Sequence, residues 1–304
     1  MSNTVSKPVT KAGFISLLGR TNSGKSSVVN HLLDERISLV SHKRNATRRS
    51  IKAIIMHANT QLILIDTPGL HESEKVFNKM LVENAQSSAK DCELVLFVTT
   101  AKDSIKDYEE FLKKNYNKPH IILLNKVDLI SKEKLFKVLG QYQQYASSYL
   151  AILPYSTKKN NFKKPLLDEL IKYMPEHEFY YPEDELSTSS SRDIARDIIL
   201  EALFDTFSDE IPYSCDVILN DFEEGNSSYK IRAVIITDNT SHKAMLIGKE
   251  AGALKRLGIV ARKKLQAFFG MKIALMLHVE VKKAWQKDER MLRKLEIARP
   301  SDEG

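Results

Sequence analysis

Gly19-Arg20-Thr21-Asn22-Ser23-Gly24-Lys25-Ser26-Ser27 is the stretch whose reading decides the fold. Its form, G-x-x-x-x-G-K-S, is that of a phosphate-binding loop. It stands between an apolar strand pattern, Phe14 to Leu18, and a helical one through Ser27, Val28, Val29, Leu32 and Leu33. Glycines at 19 and 24 let the backbone curl so that its N–H groups point inward at phosphate oxygens, and the helix that follows adds positive potential there. Lys25 is placed to reach the β- and γ-phosphates and the Ser26 hydroxyl to ligate Mg²⁺, with Asn22, Ser23 and Ser27 in the same cradle. Such a loop predicts a nucleoside triphosphate without saying which.

Working outward, strand patterns at 51–57, 62–65, 94–98, 121–124 and 151–153 alternate with helical patterns at 77–89, 105–114 and 166–173. Strands with unbroken apolar runs, separated by helices, read as a mainly parallel sheet covered on both faces. Ligands of such sheets bind beyond the carboxyl ends of the strands. Three further polar clusters fall at strand ends: Asp66-Thr67-Pro68-Gly69, Asn125-Lys126-Val127-Asp128 and Tyr155-Ser156-Thr157-Lys158. Asp66 suits Mg²⁺ held through water, and Gly69 offers a backbone N–H to the γ-phosphate. Asp128 accepts two hydrogen bonds from guanine N1–H and its exocyclic amine, which adenine does not supply, so the ligand becomes GTP. Lys126 lies along the ring edge, and Ser156 and Thr157 present N–H groups to guanine O6.

At 304 residues, with 42% hydrophobic and 28% charged, the chain reads as globular with two domains. No apolar run approaches the roughly 18–20 residues that span a bilayer, and residues 1–11 are too polar for a signal peptide. Two cysteines, Cys92 and Cys215, sit in apolar patterns and read as buried free thiols of a reducing cytoplasm. The net charge of +7 is uneven: from Lys230 to Gly304, 17 Lys and Arg face 8 Asp and Glu, a net of +9. A basic last quarter on a near-neutral body points to a polyanion, nucleic acid first and a membrane surface second.

The pattern lapses from Met174 into prolines, acids and a serine run, so a GTPase domain at 1–175, a linker at 176–191 and a second domain at 192–304 are expected. The second domain reads helix (193–207), strands (215–222 and 229–236), a basic helix (253–269) and a strand (272–281), with a short helix and turn before the basic helix. That order is a KH domain of the second type, a small α+β unit that clamps single-stranded RNA beside a G-x-x-G loop. Gly248, Lys249, Gly252, Lys255, Arg256, Arg262 and Lys263 are the candidate RNA contacts, with Lys264 on the same basic helix. Aligned on Gly248, the second glycine position holds Ala251, with Gly252 one place later.

The first domain resembles the translation-factor-like GTPases. By that resemblance Thr47 is the switch threonine that closes over Mg²⁺ and the γ-phosphate, and Lys25, Thr47 and Gly69 are the catalytic set. Leu70 stands where some GTPases place a water-orienting glutamine, which predicts slow hydrolysis without a partner. Asn22 matches an asparagine that helps hold K⁺ near the phosphates, and His71 reads as a solvated switch-loop histidine.

The whole chain resembles the Era-type GTPases of bacterial ribosome assembly. The residues are the phosphate loop, Asp66-Thr67-Pro68-Gly69, Asn125-Lys126-x-Asp128, Tyr180-Tyr181-Pro182-Glu183-Asp184, Glu210-Ile211-Pro212-Tyr213-Ser214, Ile247-Gly248-Lys249, and Trp285 with Asp288-Glu289-Arg290. The resemblance implies GTP hydrolysis coupled to binding of 16S ribosomal RNA near its 3′ end during assembly of the 30S subunit. It also implies a cytoplasmic monomer with peripheral contact at the inner membrane. Two rival readings are a GTP-sensing RNA-binding factor with vestigial hydrolysis and a membrane-docking GTPase.

Overall fold

In the first half, five strands run parallel: β1 (Lys11–Leu18), β3 (Thr60–Asp66), β4 (Leu94–Thr100), β5 (His120–Asn125) and β6 (Ala151–Pro154). A sixth, β2 (Ile51–His57), lies antiparallel to β3 at one edge, giving the order β2-β3-β1-β4-β5-β6. The computed structural model describes residues 9–34, 48–68, 91–114, 118–208 and 210–295. Of these, 9–34, 50–68 and those from 91 to 188 form one compact unit, while Arg48, Arg49 and those from 189 onward form a second.

Every residue of β3, β4 and β5 is buried, which is why their sequences are continuous apolar runs. Among the described residues the helices of this unit are α1 (Lys25–Leu33), α2 (Ile105–Lys113), α3 (Lys132–Tyr142) and α4 (Lys163–Leu170), and the helical pattern read at 77–89 lies outside those residues. Tyr108 and Phe111 of α2 pack with Val95, Phe97, Ile122 and Tyr142. Ser104 and Asp107 start α2 with a reciprocal capping box, satisfying N–H groups that would otherwise be orphaned.

The stretch read as a linker is a strap on the first unit as far as Thr188. Glu176 bridges to Lys11, and Ser187 bridges to Ala53 on the outer side of β2. The Ile54 N–H donates to Leu186 O (3.0 Å) and the Thr188 N–H to Lys52 O (3.4 Å). Between these points the fully buried Gln61 amide accepts from the Tyr180 and Tyr181 N–H groups and donates to Tyr181 O. Prolines and serines made this segment look unattached. An unpaired edge strand and a buried amide fasten it.

The second unit contains α5 (Ser191–Thr206), β7 (Cys215–Glu224), β8 (Ser228–Thr237), α6 (Thr240–Ile247), α7 (Gly252–Phe269), β9 (Lys272–Val281) and α8 (Glu289–Lys294). Its sheet runs β7-β8-β9, antiparallel and then parallel. Ile199 and Leu203 of α5 and Leu257, Ala261 and Leu265 of α7 join one core, and Val234 and Ile236 pack with Trp285, Leu292 and Leu295 in another. The Trp285 indole donates to Ser214 O at 3.1 Å, which gives its only polar atom a partner. Both cysteines are buried and free, as expected.

At the start of β7 the fully buried Asp216 accepts from two consecutive arginines, Arg48 and Arg49, each at 2.9 Å. Arg48 also donates to the carbonyls of Pro212 and Cys215, and Arg49 to Asp197 and to Leu295 O. Burial alone would push the Asp216 carboxyl up, but the two guanidiniums hold it below its ordinary range.

Candidate nucleotide-binding site and nucleic-acid interface

β1 lies between β3 and β4, the point where the strand order reverses, and the phosphate loop leaves its carboxyl end. Gly24 sits at φ 100°, and a Cβ there would come within 2.3 Å of Asn125 Nδ2, so the loop and the end of β5 approach as only glycine allows. Lys25, 6% exposed, arches back over the loop and donates from Nζ to Gly19 O and Arg20 O, each at 3.0 Å. Burial pulls its pKa down to about 8, against the opposing pull of Asp66 and Asp103. Ser26 follows in the first turn of α1, with Ser27 half-buried beside it, and Asp66 is fully buried at the end of β3. A hydroxyl and a carboxylate are hard oxygen donors, and a cradle of loop N–H groups stands next to them. The donor set fits Mg²⁺ with a phosphate ligand.

On the base side, Asn125 ends β5. Its Nδ2 donates to Ser23 O at 2.9 Å and its Oδ1 accepts from the Lys126 N–H at 2.8 Å. Lys126, in the left-handed region at φ 62°, extends Nζ to Asn22 O at 2.7 Å. Asn22 is also left-handed (φ 64°), a conformation that asparagine tolerates better than most residues. Asp128 Oδ1 accepts from the fully buried Ser156 hydroxyl at 2.7 Å, and this bond lowers the Asp128 pKa, keeping its carboxylate charged. Thr157 follows, half-buried.

The four clusters therefore share one rim. The residues of the site that the structure brings together are Gly19, Asn22, Ser23, Gly24, Lys25, Ser26, Asp66, Asn125, Lys126, Asp128 and Ser156. Thr47, Gly69, Leu70 and His71 lie outside the described residues. Two supporting pairs had no sequence signal: Arg20 with Asp107 at 3.1 Å, and the Tyr155 hydroxyl with His31. Each pair is dozens of residues apart and matches no motif.

In the second unit, Lys255, Arg256, Ile259, Arg262 and Lys263 are exposed on α7, one stripe at helical spacing, and Lys249 is exposed before it. Among the described residues no carboxylate pairs with these five basic side chains. Lys264 departs from the expected basic face: it points to α5 and pairs with Glu201 (2.6 Å) and Asp205 (2.7 Å). The turn before α7 also departs from its motif. Gly248 is required, since a Cβ there would meet Ala253 Cβ at 2.8 Å at φ 69°. Gly252 is ordinary helix (φ −64°), and the left-handed positions are Glu250 (φ 51°) and Ala251 (φ 58°).

Comparison with known proteins reaches almost the whole chain. The family described as "50S ribosome-binding GTPase" matches residues 14–126, and the KH domain family matches 210–286. GTPase Era of Campylobacter jejuni (strain 81-176) is 52% identical over 285 residues, covering 94% of this chain and 98% of the relative. Its counterpart in Campylobacter lari is 49% identical over the same span. Two solved structures superpose with a TM-score of 0.88, each covering 95% of this chain and 100% of the other. One is an Aquifex aeolicus Era variant bound to GDP and AlF₄⁻, 28% identical. The other is Era with MgGDPNP and nucleotides 1506–1542 of 16S ribosomal RNA, 29% identical.

Proposed function

This chain belongs to the Era family of GTPases, and on that premise we propose that it binds and hydrolyses GTP, binds 16S ribosomal RNA near its 3′ end and assists assembly of the 30S subunit. GTPase Era relatives match this chain along 94% of its length, whereas the 50S ribosome-binding GTPase family matches residues 14–126. The observation that carries the reading is the Ser156–Asp128 hydrogen bond set beside the Asn125–Ser23 bond. It aims an ionised carboxylate at a base while the same rim holds the phosphate loop.

The chain's own residues divide the work. Asp128 selects guanine, because adenine would leave its carboxylate acceptors unmatched. Loop N–H groups and Lys25 bind and orient the phosphates, so that water attacks the γ-phosphorus in line. Ser26, Asp66 and Thr47 are the residues that would hold Mg²⁺, which when bound neutralises charge on the β- and γ-phosphate oxygens. A K⁺ ion beside Asn22 belongs to the same proposal. Lys249, Lys255, Arg256, Arg262 and Lys263 engage RNA phosphates next to the Gly248 turn. The chain acts as a monomer in the cytoplasm, with the net +9 of its last quarter supporting peripheral contact with acidic lipid headgroups.

Asp128→Asn tests the assignment. The amide reverses one acceptor into a donor, so preference moves from guanine to xanthine nucleotides by roughly 100-fold or more, read from GDP and XDP dissociation constants. Unchanged selectivity would remove Asp128 from the base site.

A further inference from the structure

Tyr155 begins the base-side loop. Its N–H donates to Leu124 O (2.8 Å) and its carbonyl accepts from the Val127 N–H (3.1 Å), fixing its backbone to the end of β5 that carries Asn125 and Asp128. Its side chain goes elsewhere. Only 1% exposed, it places its hydroxyl 2.6 Å from Nδ1 of His31 on α1, with the two rings edge-on at 5.6 Å. On the far side of the imidazole, Nε2 lies 3.1 Å from Asn160 Oδ1, just past the base-side loop.

The hydrogens follow from chemistry. Burial pushes the Tyr155 phenol well above its ordinary pKa, so it keeps a proton to donate, and Nδ1 accepts it when Nε2 faces an acceptor, Asn160 Oδ1. Nε2 then carries the ring proton and donates to Asn160. One neutral tautomer satisfies every partner. A nearby tie joins Asp34, just after α1, to Lys163 at the start of α4, but the Asp34 side chain is 71% exposed and pairs of that kind are worth little in water. The bond to the buried phenol is the stronger constraint.

We propose that His31 and Tyr155 are positioning residues for guanine selectivity, holding the base-side loop against the helix that carries Lys25 and Ser26. Ser156, which orders Asp128, is the next residue after Tyr155. A displacement of Tyr155 therefore moves the carboxylate relative to the phosphate cradle, and one nucleotide has to fit both ends. This rests on the guanine reading of Asp128.

The test compares GDP with IDP, which lacks the exocyclic amine. Wild-type protein comes first: without a preference for GDP over IDP the guanine reading itself fails, whatever the role of His31. Given that preference, Tyr155→Phe weakens GDP binding about tenfold and narrows the GDP/IDP ratio several-fold, the size expected for one buried hydrogen bond. His31→Ala does the same, and the double variant is no worse than either single one. His31→Gln, whose amide can accept from Tyr155 and donate to Asn160, restores the ratio. An unchanged ratio in Tyr155→Phe and His31→Ala overturns the proposal. So do additive losses in the double variant, or a His31→Gln protein that behaves like His31→Ala, since a packing role would not follow the donor and acceptor pattern.

Discussion

The Lys25 ammonium is held between two loop carbonyls with 6% exposure, and burial lowers its pKa from 10.5 to about 8. Phosphate oxygens favour the charged form, so nucleotide binding raises that value again. Between about pH 8 and the bound-state value, binding must take up a proton. The Lys25 contribution to nucleotide affinity should therefore be flat below pH 8 and fall above it. Calorimetry at pH 8.5 in two buffers of different ionisation enthalpy should show net proton uptake, and equal heats would contradict it. The sign for the empty protein is the opposite. The folded pKa is depressed, so the unfolded chain holds more protons and stability rises from about pH 8 toward 10.5. Ala251 poses a different question. At φ 58° a Cβ costs roughly 1–2 kcal/mol, while a glycine there would add about 0.5–1 kcal/mol of backbone entropy to the unfolded chain. Ala251→Gly should stabilise the second unit by about 0.5 kcal/mol, seen as a higher denaturant midpoint. A lower midpoint would mean that the turn relaxes without strain.

The helix α7 shows how far spacing can be read. Its amphipathic period places Leu257, Ala261 and Leu265 in the core, and the same period puts Lys255, Arg256, Arg262 and Lys263 in water. Arg262→Ala and Lys263→Ala should each lower the slope of log affinity against log salt for single-stranded RNA by about 0.7 for every phosphate no longer neutralised. Lys264→Ala should leave that slope unchanged and lower the melting temperature, because its charge serves Glu201 and Asp205. Filter binding across a salt series separates the two classes. The same period sets Lys264, three residues past Ala261 and seven past Leu257, beside the core face and Lys263 on the wet one. The two acids that receive Lys264 come from α5 and had no local signal. The nucleotide site was legible for the opposite reason. Its motifs are local, each at the end of one strand, and a parallel sheet brings strand ends together whatever the loops between them contain. The His31–Tyr155 bond and the Gln61 anchor join residues more than a hundred positions apart, with no period to announce them.

Arg48 and Arg49 belong, with Asp216, to the second unit, although residues 50–188 lie between them and Ser189 in sequence. A fragment beginning at Ser189 would bury Asp216 without either arginine. Replacing one partner of a buried pair typically costs about 3–5 kcal/mol, mostly for the charge left behind. Asp216→Asn should accordingly destabilise the full chain, where it strands two guanidiniums, and stabilise the fragment, where it removes a stranded carboxylate. Thermal melts of the four proteins test this, and the same sign in both backgrounds would refute it.

The strap over β2 carries a consequence for biosynthesis. The partner of Ala53 is Ser187, so translation must run far past β2 before the edge can close. At roughly 5–20 residues per second, the nascent GTPase unit spends on the order of ten seconds with an open strand, able to pair with a neighbouring polypeptide on the same polysome. A chaperone that shields that edge as it leaves the exit tunnel would be needed for seconds only, until the chain delivers its own cover.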